Sequence, residues 1–166
     1  MLIHKQKTNN MNIIHIGNPV LSQEARVVTD INNADTQTLI DDMFATMRAE
    51  KGVGLAAPQV NVSKRIVVIE VNGQEFVFIN PQITHYSQEQ ILFTEGCLSI
   101  PGKEFPIIRY QKVTINYLDR NAKECVLKTD DLLAVVCQHE IDHLNGILMT
   151  DRYKQQVNLR KTLNVT

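Results

Sequence analysis

Five consecutive residues, His139-Glu140-Ile141-Asp142-His143, form the most chemically loaded pattern in this chain. Side chains four positions apart on an α-helix lie one above the other, so both imidazoles can reach a single metal ion. The glutamate beside the first histidine then stands where a metal-activated water needs a general base. That is the arrangement of a metal-dependent hydrolase, and it requires a helix. One is predicted over residues 130 to 145. Asp130 and Asp131 supply a cap and an acidic first turn, Leu132, Leu133, Val135, Val136 and Leu144 repeat at helical spacing, and Gly146 is a natural stop. The competing reading of the same string is a pair of histidines held only by structural hydrogen bonds.

A catalytic metal needs a third protein ligand and one position left open. Beyond His143 the sequence has neither glutamate nor histidine, and only Asp151 is available there, soon enough after the helix that the chain would have to double back at once. Upstream lies Cys97, within Glu95-Gly96-Cys97-Leu98-Ser99-Ile100-Pro101-Gly102. A thiolate binds zinc or ferrous iron strongly, and Gly96 permits close backbone approach. Cys97 with His139 and His143 would make a sulfur and two-nitrogen site with a fourth, exchangeable position. Such a donor set accepts zinc, ferrous iron, nickel or cobalt. Cys125 falls in an expected strand, and Cys137, two residues before His139, turns away from the ligand face. Both read as small buried apolar residues. Three cysteines in 166 residues do not suggest a disulfide framework.

Three segments carry a family resemblance: Gly52-Val53-Gly54-Leu55-Ala56-Ala57-Pro58-Gln59, Glu95-Gly96-Cys97-Leu98-Ser99 and Gln138-His139-Glu140-Ile141-Asp142-His143. In order and separation they resemble the signature motifs of peptide deformylases, and the likeness runs from about Ile13 to Tyr153. The resemblance implies a hydrolase that removes the formyl group from the N-terminal formyl-methionine of newly synthesised polypeptides and releases formate. It implies Fe2+ held by Cys97, His139 and His143, with Zn2+, Ni2+ or Co2+ as substitutes. Metal-bound water would attack the formyl carbon, with Glu140 as general base and then acid. By similarity, the side-chain amide of Gln59 and the backbone N–H of Leu98 stabilise the oxyanion. Backbone near Gly54 and Gly96 would face an extended peptide. Val53 and Phe93, with Leu132, Val135 and Val136, would wall a pocket for the methionine side chain, although the same residues would serve equally as core.

Imidazole ligands are usually oriented by a further partner. Asp142 and Glu95 are near enough in sequence to serve, with Arg109 as a counter-ion, while Asp142 reads equally well as a solvent-facing helix residue. Gly52-Val53-Gly54 lacks the following Gly-Lys-Ser/Thr of a phosphate loop. Gly52 alone suits the C-terminal stop of a preceding helix.

With 43% apolar residues and five prolines, the chain should form one domain with a sizeable core, and a net charge of −1 without a long basic run argues against nucleic acid as the direct substrate. Neither a bilayer-spanning stretch nor the apolar core of a signal peptide is present. A reducing, cytoplasmic setting is expected, with N-formyl-methionyl nascent peptides as partners and a transient ribosome contact; an organellar or virus-encoded origin fits equally. Residues 1 to 10 are polar and slightly basic, so they read either as a short disordered leader or extension or as sequence ahead of a translation start at Met11, and residues 11 to 166 read as one catalytic domain.

The elements that must position the site are legible in part. Leu39, Ile40, Met43, Phe44 and Met47 repeat at helical spacing between Asp35 and Glu50. Residues 65 to 71 read as a buried strand, and Asn72-Gly73 as a tight turn into residues 76 to 80. Residues 113 to 118 and 124 to 128 flank a second turn. The tail after Tyr153 shows only a weak helical pattern in Val157, Leu159 and Leu163, and it is shorter than the C-terminal helix of many deformylases. The fold class is therefore α+β, with antiparallel β-sheets packed around a central metal-binding α-helix. A metallopeptidase is the second functional reading, and a metal-stabilised binding protein without activity the third.

Overall fold

Strands that return on themselves through tight turns make sheets, and this chain does so repeatedly. A computed structural model describes residues 9 to 162. The expected leader therefore lies outside the described residues except for Asn9 and Asn10, as does Leu163 of the tail. Helix α1 spans Ala34–Ala49, with Asn33 capping it by accepting from the Asp35 N–H. Strands follow at Gly54–Ala56 (β1), Ile66–Val71 (β2) and Gln74–Tyr86 (β3). Next come Gln90–Gly96 (β4), Glu104–Tyr110 (β5), Lys112–Leu118 (β6) and Glu124–Asp130 (β7). Helix α2 is Asp131–Leu144 and helix α3 is Met149–Thr162.

All strand pairs are antiparallel. One sheet has the order β1-β2-β3-β6-β7, and β4 with β5 forms a separate pair inserted between β3 and β6. The expected turn at Asn72-Gly73 is present with both residues at positive φ, 54° and 75°, which is the geometry that matches strand twist. β3 runs six residues past its expected end at Asn80, because Asn80 takes a left-handed φ of 51° and its side chain pairs with the Val28 N–H and C=O. A register shift between Ile79 and Gln82 follows.

Helix α2 packs against β1, β2, β5, β6 and β7. One apolar cluster joins Val67, Ile69, Phe78, Val113 and Ile115 of the large sheet to Ala134, Val136, Ile141 and Leu144 of α2. A second places Ile40, Met43, Phe44 and Met47 of α1 on the same sheet. The start of α2 differs from expectation. Asp130 is extended (φ −137°, ψ 177°) and its side chain caps nothing, because β7 runs directly into the helix. The stop of α1 differs too: Lys51 takes the left-handed position at φ 57°, and Gly52 follows it, donating to the Met47 carbonyl at 2.9 Å. Gly52 also packs closely under Leu98, since a Cβ there would sit 2.9 Å from Leu98 Cδ1 and the leucine tip would have to turn aside.

Candidate metal centre

His139 and His143 lie on the buried side of α2, 8% and 1% exposed. Their Nε2 atoms approach to 3.3 Å. Cys97 follows directly on β4, in the turn before β5. The Ile100 N–H closes that turn on the Cys97 carbonyl at 2.9 Å, and the Ile16 N–H ties it down through the Ser99 carbonyl at 2.9 Å. The turn brings Cys97 Sγ to 3.3 Å from His143 Nε2. The ligand atoms of Cys97, His139 and His143 all lie within 4.8 Å of one another. A tetrahedral ion with metal–sulfur near 2.3 Å and metal–nitrogen near 2.0 to 2.1 Å separates its donors by about 3.3 to 3.6 Å. The separations of His143 Nε2 from Cys97 Sγ and from His139 Nε2, both 3.3 Å, match that spacing, so the donor set fits one small divalent ion.

The orientation of His139 is fixed from behind. Its Nδ1 meets Glu95 Oε2 at 2.8 Å, leaving Nε2 to face Cys97 and His143. Arg109 forks onto Glu95 through Nε at 2.7 Å and Nη2 at 3.0 Å, and its Nη1 donates to Asp142 Oδ2 at 2.5 Å. Arg109 is 4% exposed and Asp142 6%, which rules out the solvent-facing reading of Asp142. Burial alone would raise the Glu95 carboxyl; hydrogen bonds from His139 and Arg109 overcome it and hold the group at about 2. Burial lowers the His143 value well below that of a free imidazole, aided by the charges of His139 and Arg109.

Glu140 is buried beside the cluster, and burial pushes its carboxyl up to about 7 against the attraction of His139 and Arg109. Its Oε2 and His143 Nδ1 have no hydrogen-bond partner among the described residues. Gly54 is what lets Glu140 lie there, because a Cβ at position 54 would fall 2.5 Å from Glu140 Oε1. Gln59 is 1% exposed. Its Oε1 accepts from the Ala56 N–H at 2.9 Å, which turns the amide nitrogen toward Ser99 Oγ at 3.2 Å and Cys97 Sγ at 3.6 Å.

Two cavities open onto these atoms. The larger, about 990 Å³, includes Gly54, Gln59, Gly96, Cys97, Leu98, His139 and Glu140 in its lining. The smaller, about 130 Å³, has Val53, Phe93, Leu132, Val135 and Val136 in its walls together with His139 and Glu140. Val53, Phe93 and Leu132 are 47%, 36% and 40% exposed, so they line an opening and are not sealed core. Val135 and Val136 are buried, and Val136 also belongs to the core beneath. Cys137 is buried in that core as expected, and burial raises its thiol well above the usual range.

The family model for polypeptide deformylase matches residues 10 to 158. The chain belongs to the polypeptide deformylase family. A deformylase of Heliobacterium modesticaldum is 47% identical over 140 residues, covering 84% of this chain and 91% of that protein. The crystal structure of the Thermotoga maritima deformylase superposes with a TM-score of 0.85 at 36% identity, over 87% of this chain and 97% of that one. A class I type b deformylase of Acinetobacter baumannii with Met-Ala-Ser bound has a TM-score of 0.84 at 32% identity, over 88% and 99%.

Two side chains that the structure adds to this cluster are not among those the sequence points to. Ser99 lies in the run Glu95-Gly96-Cys97-Leu98-Ser99, and its place two residues after Cys97 is the one signal for it. Arg152, whose Nη2 and Nε reach Asp142 Oδ1 at 2.5 Å and Oδ2 at 3.0 Å, had none, because an arginine on a polar helix reads as surface.

Proposed function

We propose that Cys97, His139 and His143 hold the divalent ion with which this deformylase removes the formyl group from the N-terminal methionine of new polypeptides. The observation that carries this reading is the convergence of Cys97 Sγ and two imidazole Nε2 atoms beside Glu140 and Gln59, at the junction of two cavities. A divalent ion supplies Lewis acidity there, polarising the formyl carbonyl and acidifying a water. Glu140, whose carboxyl burial raises to about 7 in the metal-free chain, would take the proton of the attacking water and return it to the departing amine. Gln59 Nε2 and the Leu98 N–H donate to the oxygen on which negative charge develops. Val53, Phe93, Leu132, Val135 and Val136 receive the methionine side chain, and Gly54 and Gly96 leave room for the peptide backbone. The Met-Ala-Ser bound by the Acinetobacter relative is the kind of peptide that remains once the formyl group is gone.

Ferrous iron is our choice for the native ion, with zinc, nickel or cobalt able to replace it in a sulfur and two-nitrogen set. Residues 11 to 166 act as one catalytic domain. The cytoplasm, where formylated chains leave the ribosome, is the proposed site of action, with transient ribosome contact; no helix among the described residues is long and apolar enough to cross a membrane. The metallopeptidase alternative loses its third ligand, since Asp151 Oδ2 instead accepts from the Leu148 N–H at 3.0 Å, at the start of α3. Incubating metal-replete protein with formyl-Met-Ala-Ser and with Met-Ala-Ser tests the proposal. Formate and free Met-Ala-Ser in equal amounts are expected, with the unformylated peptide untouched. Internal cleavage of either peptide, or no formate at all, contradicts it.

A further inference from the structure

We infer that Arg152, on the C-terminal helix α3, is a positioning residue for His139, acting through an unbroken line of side-chain hydrogen bonds that runs Arg152, Asp142, Arg109, Glu95, His139. The inference rests on the reading of Cys97, His139 and His143 as ligands. Arg152 grips both oxygens of Asp142, at 2.5 Å and 3.0 Å. Asp142 Oδ2 also accepts from Arg109 at 2.5 Å, Arg109 forks onto Glu95 at 2.7 Å and 3.0 Å, and Glu95 meets His139 Nδ1 at 2.8 Å.

The side chains of Asp142 and Glu95 are only 9% and 3% exposed, and Arg109 at 4% lies between them. One guanidinium cannot neutralise two buried carboxylates. Arg152 supplies the second positive charge, so the four groups balance. Without it, Arg109 becomes the only counter-ion of Asp142, and its fork is drawn toward Asp142 and away from Glu95. Glu95 is the group that keeps the His139 proton on Nδ1 and the Nε2 lone pair facing Cys97 and His143. The consequence of losing Arg152 is thus a slackened metal ligand. Because Arg152 is 37% exposed, water replaces part of its charge and the effect is graded. Arg152 lines neither cavity at the metal centre, so this role is separate from substrate contact.

Helix α3 has a second attachment that uses no charge. The Gln156 side chain accepts from the Ile108 N–H at 2.7 Å and donates to the Pro106 carbonyl at 3.1 Å, closing the outer edge of β5. That attachment provides the control. The experiment loads the full chain with Co2+ and compares wild type with Arg152→Gln, Arg152→Lys and Gln156→Ala. It reads the rate of cobalt transfer to a chelator in excess and the visible ligand-field spectrum of the bound ion.

Arg152→Gln is expected to release cobalt about tenfold faster with shifted bands, Arg152→Lys to lie between it and wild type, and Gln156→Ala to stay within about twofold with an unchanged spectrum. Arg152→Gln behaving as wild type in both readouts overturns the inference. So does Gln156→Ala matching Arg152→Gln, because helix docking would then explain the effect. If Arg152→Gln does not fold, Arg152→Lys takes its place against wild type and Gln156→Ala, and the same two results overturn the inference. Wild type that takes up no cobalt overturns the ligand assignment itself, and this inference with it.

Discussion

Gln59 is held at both ends of its amide, by the Ala56 N–H on the oxygen and by Ser99 Oγ and Cys97 Sγ on the nitrogen. Anchoring the oxygen keeps the amide nitrogen aimed into the site, so an N–H has only to exchange its partner there for the oxygen on which charge develops. Gln59→Leu should therefore lower turnover by about a hundredfold or more, while metal analysis finds the ion content unchanged. Glu140 carries the opposite strain. Its carboxyl stands at about 7 in the folded, metal-free chain against an ordinary value of 4.5, so the unfolded chain ionises it more readily. That difference costs the fold nothing below the ordinary value, grows as pH rises between the two values, and is complete above the higher one. Glu140→Gln should accordingly stabilise metal-free protein by about 1 to 3 kcal/mol at pH 8 and by almost nothing at pH 4, as chemical denaturation at the two pH values would show. That Cys97, His139, Glu140 and His143 come together was legible in the sequence from residue type and spacing, whereas Gln59 was marked only by the family resemblance. Arg152 was not legible, since only the return of α3 across β5 brings it to Asp142.

Among the elements, α2 was the most legible, because apolar side chains at helical spacing and a glycine stop both marked it. Its end is fixed tightly. Gly146 sits at φ 70°, and a Cβ there would meet the Ser22 carbonyl carbon at 2.8 Å and Gln23 backbone at 2.9 Å. Backbone cannot yield as a flexible side chain does, so Gly146→Ala should cost about 2 to 4 kcal/mol and lower the melting temperature by about 5 to 15 °C in a thermal melt. Strands β4 and β5 escaped notice because their pattern inverts the usual one. Leu92 is 61% exposed and Ile108 37%, whereas Glu95 and Arg109 are each 4% exposed. Hydrophobic alternation cannot find a strand pair whose buried face carries an ion pair. Helix α3 was weak for a related reason. It is held by Arg152 on Asp142, Gln156 on β5 and Tyr153 against Phe105 at 5.1 Å, and not by an apolar stripe.

On the scale of the molecule, the large sheet supports one side of α2 and the inserted β4–β5 pair covers another. This division brings together the candidate ligands Cys97 and His143, 46 positions apart in sequence. The α+β class was legible from the two hairpins at Asn72-Gly73 and residues 119 to 123, but the strand order was not, because nothing local marks β4 and β5 as separate from their neighbours. The shared ion is the claim on which the chemistry stands, and anomalous diffraction from crystals of anaerobically metal-loaded protein tests it most directly. The account expects one peak about 2.3 Å from Cys97 Sγ and about 2.0 to 2.1 Å from the Nε2 atoms of His139 and His143. A fully loaded crystal with its peak elsewhere, or with Cys97 outside bonding distance, would contradict it.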